Sequence, residues 1–409
     1  MPSINPERLL NDLKTLRSFG ASGNGVIRTA LSEIDLESRY WLAQRFADAG
    51  LDARLDSVGN VFGLSTNPGP AVLIGSHSDT QPQGGWLDGA YGVVSALEVA
   101  RALAEDPATK NFGIDTVSWM DEEGTFFGCL GSMAFCETLD PAVLRTATDA
   151  DGRRLADVLV QAGLDRQPPV TVQPERQVAY LEAHIEQGPV LDDSDDRIGV
   201  VTAIVGVREY DIHFIGEQNH AGTTPMRRRK DAARAMIALA SDINQRFPET
   251  ASDVSVWTIG SLSLGTDSSS IVPGEATMRL QLRDPDEDVM DRLESLLLEI
   301  VAAHDGRHGV RVECQPGERL RPAPMNESAQ RCLASAAERH APGRWRRMPS
   351  GAIHDAQILA GRLPSGMLFV PSLGGVSHSF AEDTDEDDLV LGCQVLCEAA
   401  INIIKEHTR

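Results

Sequence analysis

The chain has no apolar run approaching the roughly 18 residues that a membrane-crossing helix needs. Its opening residues, Met1-Pro-Ser-Ile-Asn-Pro6, lack the basic and apolar segments of a secretory leader. A cytoplasmic protein with no membrane partner is therefore expected. Positive charge is also short: 37 Lys and Arg face 60 Asp and Glu, a formal charge of −23. Such a surface repels nucleic acid and anionic lipid, so nucleic acid is not expected as a partner. Cysteine is sparse and scattered. The six (Cys129, Cys136, Cys314, Cys332, Cys393, Cys397) include no CxxC pair, which argues against both a thiolate zinc site and a disulfide framework. Cys393 and Cys397, four apart in a helical pattern, are expected in the core.

What is present is a long, globular composition. At 409 residues, 42% hydrophobic and 24% charged, the chain exceeds what one hydrophobic core usually serves, so two domains are expected. Leu9, Leu10, Leu13 and Leu16 repeat at helical spacing over 5–18, and a second helix is expected over 37–49, ended by Gly50. Paired strands follow over 53–64 around a Gly-Asn turn. The apolar run Ala71-Val-Leu-Ile74 reads as a buried strand, with a helix over 92–103 after it. A second strand covers 114–120 and a third β-like run 178–189. From about Thr202 the order becomes βαββαβ, with strands at 209–215, 254–264, 276–283 and 310–314 and helices at 230–246 and 287–304. This reads as an α+β domain, 205–318, inserted between two halves, 1–204 and 319–409, of a larger α/β domain. A terminal helix is expected over 385–405, with acids in its first turn, where the helix dipole favours them.

The chemistry-bearing residues gather at the ends of the β-like runs. Gly75-Ser-His-Ser-Asp-Thr80 and Gly84-Gly-Trp-Leu-Asp-Gly-Ala-Tyr-Gly92 set His77, Asp79 and Asp88 just beyond the first strand, where open α/β sheets carry their sites. Asp121-Glu-Glu-Gly124 ends the second strand, and His184, Glu186 and Gln187 end the third. His354 and His378 follow late in the chain. A lone His is ordinarily a satisfied buried residue, but three His and carboxylate clusters at strand ends suit hard or borderline cations.

These motifs, together with Asn219-His-Ala-Gly-Thr-Thr-Pro-Met226 and Val376-Ser-His-Ser379, resemble the hydantoinase/carbamoylase branch of the dinuclear zinc aminoacylase and carboxypeptidase superfamily, and they run in order over almost the whole chain. N-carbamoyl-L-amino acid hydrolases, β-ureidopropionases, allantoate amidohydrolases and ureidoglycolate amidohydrolases belong to that branch. The resemblance implies two divalent ions, zinc foremost, with manganese, cobalt and nickel also fitting the ligands. It makes Asp88 the bridge, with His77 and His184 on one ion and Glu123 and His378 on the other. A carboxylate has the two oxygens that bridging needs. Asp79 would hold the His77 ring through its second nitrogen, or, alternatively, act as a ligand. Glu122 is implied as general base; being adjacent to Glu123 on an extended segment, it points the opposite way. Two solvated acids in a loop are the plain alternative.

The resemblance further makes His220 the donor to the oxyanion, often supplied by a neighbouring subunit, and so implies a homodimer through the small domain. A His that merely caps a turn is the alternative. Gln187 and His354 are candidates to hold the urea or amide group. Arg283 would clamp the carboxylate of a small-molecule substrate with its forked donors. Ser270, in Ser270-Ile-Val-Pro-Gly274, stands where the family usually has Asn, and Ile353 where it commonly has Gly. The basic run 227–230 reads as a solvated helix start or as an attractor of anions. The expected architecture is a catalytic domain with a mixed, mostly parallel sheet plus an α+β lid and dimerisation domain. The expected reaction is hydrolysis of a linear amide C–N bond in an N-carbamoyl amino acid or related ureido acid, giving amino acid, ammonia and carbon dioxide. An N-acyl amino acid hydrolase or dipeptidase and an inactive binding homologue are the rivals.

Overall fold

The computed structural model describes residues 2–408 and divides into two compact units, Ala203–Pro324 and the chain on either side of it. The divisions fall after Thr202 and Pro324, not after 204 and 318. The second difference has a clear cause: the strand Arg311–Leu320 continues past 318 and pairs Leu320 with Val207.

The larger unit is built on a mixed sheet. Seven of its nine strands are β1 (Asp52–Leu55), β2 (Val61–Leu64), β3 (Ala71–His77), β4 (Gly113–Trp119), β5 (Gln177–Ile185), β6 (Ile198–Ile204) and β7 (Ser365–Val370). Their order across the sheet is β6-β7-β5-β3-β4-β2-β1. Neighbours are parallel from β7 through β5 and β3 to β4, whereas β6 on β7, β2 on β4 and β1 on β2 are antiparallel. Among these seven strands, parallel pairing is thus confined to the four from β7 to β4. The reason lies in the connections: β1 and β2 form a hairpin, which can only pair antiparallel, while the crossover from β3 to β4 contains the helix Ala90–Glu105. Every residue of β3 and β4 is buried, as strands covered on both faces require.

The core of this unit joins the sheet to Pro6–Ser18, Ala90–Glu105 and Glu386–His407. Pro6–Ser18 opens with Asn5, whose side chain accepts from the Arg8 amide, and buries Leu9, Leu13 and Leu16. The second helix is Glu33–Asp48, starting ahead of 37 because the Ser32 hydroxyl caps it by accepting from the Asp35 amide. The last helix begins on Glu386, Asp387 and Asp388, an arrangement the helix dipole favours by about 0.3–1 kcal/mol per charge. All six cysteines are free, with Cys332, Cys393 and Cys397 in the core. Among the described residues no helix is long and apolar enough to cross a membrane.

The smaller unit is a four-stranded antiparallel sheet in the order Val256–Leu264, Glu275–Asp284, Gly206–Ile215, Arg311–Leu320. Alternate residues of Glu275–Asp284, from Ala276 to Leu282, are buried against Ala232–Arg246 and Glu287–His304, the period-2 pattern of a sheet covered on one face. A short ladder pairs Asn219–His220 with Ile271–Val272.

Candidate metal centre

The parallel registers align the carboxyl ends of the central strands. His77 lies beside Trp119, and His184 beside Phe369. The chain leaves β3 at His77 and returns through Asp88 into the helix that begins at Ala90. Gly89 between them has φ +62°, and a Cβ there would stand 2.4 Å from His77 Nε2. Only glycine leaves that space open. After β4, the backbone turns at Asp121, with φ +57°. Its carboxylate accepts from the amides of Thr125, Phe126 and Phe127 at 2.6–2.9 Å, which folds the loop that presents Glu122 and Glu123. Gln187 and His378 also have positive φ, +58° and +50°. Left-handed backbone at non-glycine residues is costly and tends to gather at functional sites.

Two groups of possible ligands emerge, and they share one residue. His77, Asp88 and His184 form one; Asp88, Glu123 and His378 form the other, with the donor atoms of each group within 4.8 Å of one another. Asp88 Oδ1 lies 3.2 Å from His184 Nε2 and 3.8 Å from His77 Nε2, while Oδ2 lies 3.3 Å from His378 Nε2. Glu123 Oε2 is 3.7 Å from His378 Nε2, and Glu122 Oε2 is 3.7 Å from His77 Nε2. The adjacent glutamates thus face different histidines.

The ring orientations are set from behind. His77 Nδ1 donates to the Asp79 carbonyl at 3.0 Å and His184 Nδ1 to the Ile185 carbonyl at 2.9 Å. A carbonyl only accepts, so each Nδ1 carries a proton and each Nε2 is the ring nitrogen turned towards Asp88. Burial opposes ionisation of Asp88, but His184 and His378 hold it well below the usual carboxylate range. Burial also works against a charged His184, yet Asp88 outweighs it and carries that ring up to about 9. His378 reaches about 9 through its hydrogen bond to Asp88. Burial, reinforced by Asp88, pushes Glu123 up to about 8. Burial and then Asp355 raise Glu122 well above the ordinary glutamate range.

Several placements differ from the sequence expectation. The carboxylate of Asp79 does not hold the His77 ring: it stands 4.0 Å from Nδ1, and the backbone carbonyl of the same residue takes that proton. The carboxylate instead accepts from the Asp121 amide at 3.1 Å and the Glu123 amide at 3.2 Å, one on each side of Glu122, with Arg39 behind it at 3.5 Å. Gln187 donates to both Asp88 oxygens at 3.2 and 3.3 Å and meets His378. His354 is buried, its ring 4.6 Å from that of His184 and its Nε2 2.9 Å from the Ser350 hydroxyl. Ile353 has no left-handed backbone, so a β-branched residue fits there without strain. Glu186 caps the short helix Val190–Ser194 through the amides of Val190 and Leu191. Sequence reasoning overlooked Asp121, the buried pair Glu182 and Asp355, and Glu382. Only Asp121 had a visible signal, as the first acid of Asp121-Glu-Glu.

In the smaller unit, the His220 Nδ1 accepts from the amides of Gly222 at 3.0 Å and Thr223 at 3.2 Å. The proton of the neutral ring therefore sits on Nε2. Ser270 lies next to this segment, its carbonyl accepting from the Ala221 amide at 2.9 Å. Arg229, from the basic run, donates to the carbonyls of Thr224 and Ala221, and Lys230 pairs with Glu217 at 2.8 Å. Half of that run thus fixes local structure. Arg283 Nε donates to Gln281 Oε1 at 2.7 Å, and Gln281 donates in turn to Glu209.

The donor set suits divalent ions: imidazole nitrogens turned inward, carboxylates, and a glycine at 89 that leaves the His77 ring room. Two such groups sharing one carboxylate fit a dinuclear divalent metal site. The chain belongs to peptidase family M20/M25/M40, whose model matches residues 73–402. It is 35% identical to an N-carbamoyl-L-amino-acid amidohydrolase of Paenarthrobacter aurescens over 95% of this chain and 96% of that one. It is likewise 35% identical to the allantoate amidohydrolase of Escherichia coli K12, over 94% of each. A crystal structure of an amidase of the hydantoinase/carbamoylase family from Burkholderia phymatum is 51% identical, covers 99% of both chains and superposes with a TM-score of 0.94.

Proposed function

We propose that this chain is a metal-dependent amidohydrolase that cleaves the linear amide C–N bond of an N-carbamoyl-L-amino acid or a related ureido acid. The observation that carries the reading is the pair of ligand groups sharing Asp88, with Glu122 beside His77. The relatives whose names specify carbamoyl amino acids and allantoate support the substrate class. His77 and His184 would hold one ion, Glu123 and His378 the other, and Asp88 both. Zinc is the first choice for these nitrogen and oxygen donors. Two such ions supply Lewis acidity and make water a nucleophile at neutral pH.

The protein's own groups do the rest. Glu122 takes the proton from the attacking water and delivers it to the departing nitrogen as the C–N bond breaks. Its raised pKa favours a carboxyl group able to carry that proton between the two steps. His220, with its proton on Nε2, donates to the developing oxyanion. Arg283 holds the substrate carboxylate. Asp79 keeps the Glu122 segment in place through the flanking amides. For an N-carbamoyl amino acid the products are the amino acid, ammonia and carbon dioxide.

The inserted unit acts as lid and dimer surface in this reading. Its edge strand Val256–Leu264 leaves Val256 (52%), Leu262 (57%) and Leu264 (44%) exposed, and an uncovered apolar edge favours pairing with a second copy. The family's peptidase designation favours one alternative, an N-acyl amino acid hydrolase or dipeptidase. Assay of carbamoyl, ureido and N-acyl amino acids for ammonia release against free amine release separates the two. Ammonia from ureido acids upholds the proposal, and turnover of N-acyl substrates alone overturns it.

A further inference from the structure

His378 is the least supported of the five ligand candidates. Its side chain is 52% exposed and its backbone is left-handed at φ +50°, so packing does not hold it. Four residues further on is Glu382, which is 2% exposed. Glu382 Oε1 accepts from the amides of Leu87 and Asp88, both at 3.1 Å, and Oε2 accepts from the Ser377 hydroxyl at 2.9 Å. One carboxylate therefore binds the backbone of the shared ligand Asp88 and the residue immediately before His378. Gly85 makes the approach possible, since a Cβ there would lie 1.8 Å from Glu382 Oε1. A neighbouring tie runs the same way: Trp86 Nε1 donates to Asp383 Oδ1 at 3.3 Å.

We propose that Glu382 is a positioning residue for the second ligand group, fixing the distance between Asp88 and His378 by tying the backbone at Asp88 to the Ser377 hydroxyl, one residue before His378. The inference rests on the dinuclear reading above. Glu382 touches neither substrate nor a donor atom of the group. Its effect is on how tightly the second ion is held, and through that on turnover. A carboxylate suits the task because it accepts all three hydrogen bonds, whereas a glutamine must turn an NH2 group towards either the two amides or the hydroxyl.

The test is zinc binding to the full-length apoprotein, followed by calorimetry and metal analysis, in wild type, Glu382→Gln, Ser377→Ala and His378→Ala. Glu382→Gln is expected to weaken the second equivalent about 10- to 100-fold, leave the first within about twofold, and lower kcat with little change in KM. Excess zinc should restore its turnover. Ser377→Ala removes one of the three bonds and is expected to weaken the second equivalent about two- to tenfold, which decides the matter if Glu382→Gln fails to fold. Unchanged second-site affinity in both variants, or equal weakening of both equivalents, overturns the proposal. His378→Ala separates the two levels: if it leaves the second equivalent untouched, the dinuclear reading itself falls, and if it removes it, a null result at Glu382 counts against this inference alone.

Discussion

The two ligand groups share Asp88 yet differ in surroundings. His77 and His184 are 2% and 1% exposed, and both have their Nδ1 protons fixed by backbone carbonyls on or beside strands β3 and β5. His378, in contrast, stands half-exposed on a strained loop, and Glu123 follows a left-handed turn. The first group is built into the sheet, and the second is assembled from loops tied down by hydrogen bonds. Rigid scaffolding pre-orients ligands and favours tight binding. On the proposed dinuclear reading, one ion would be tightly held and the other more exchangeable on the same carboxylate.

The largest effect expected on this view comes from the residue between the groups. Glu122→Gln should lower kcat by about 10²- to 10⁴-fold with both metal equivalents retained, whereas Glu123→Gln should lose metal from the loop-built group. Near-normal turnover of Glu122→Gln with metals bound would remove the general base. Next in size, Arg283→Ala should raise KM for carboxylate substrates by about 10- to 100-fold and leave both metal affinities unchanged, because the clamp belongs to neither group. An unchanged KM eliminates it.

A pH series compares the groups directly. His184 and His378 are both carried up to about 9 by Asp88, so at neutral pH each must lose its proton before it can bind a cation. Zinc affinity should fall as pH drops below about 9, by about tenfold per unit for each proton displaced. The loop-built equivalent should leave first on mild chelation. Binding that is independent of pH contradicts this. The smallest effect is expected at Ser270: Ser270→Asn should change the ranking of carboxylate substrates by a few fold, about the worth of one hydrogen bond, with metal binding unaffected.

Much of the site was legible because its residues sit in compact motifs at strand ends. His77, Asp88, Glu123, His184 and His378 all fall in two groups, although Asp88 and His378 are far apart in sequence. The work of Asp79 was legible only in part. Its proximity to His77 suggested a carboxylate contact, but a backbone carbonyl performs that task, and backbone carbonyls have no sequence signature. Glu382 was invisible for another reason: its partners, Leu87 and Asp88, lie 295 and 294 residues away. The central strand β3 announced itself as an apolar run, and β4 and β5 as strand-like runs. Of the antiparallel flanks, the hairpin of β1 and β2 was read from its Gly-Asn turn, whereas β6 was not, because its pairing follows from connections rather than from the composition of a short strand. The start of the helix Glu33–Asp48 was set by the Ser32 cap ahead of the stretch where the helical pattern was read.

The central claim is that one carboxylate serves two ions. Its most direct test is zinc titration of the apoprotein, comparing wild type with Asp88→Asn by calorimetry and metal analysis. Two equivalents per chain, bound in two steps of different affinity, with both weakened by Asp88→Asn, are the predicted result. A single equivalent in the wild type, or loss of only one of two in Asp88→Asn, would contradict it.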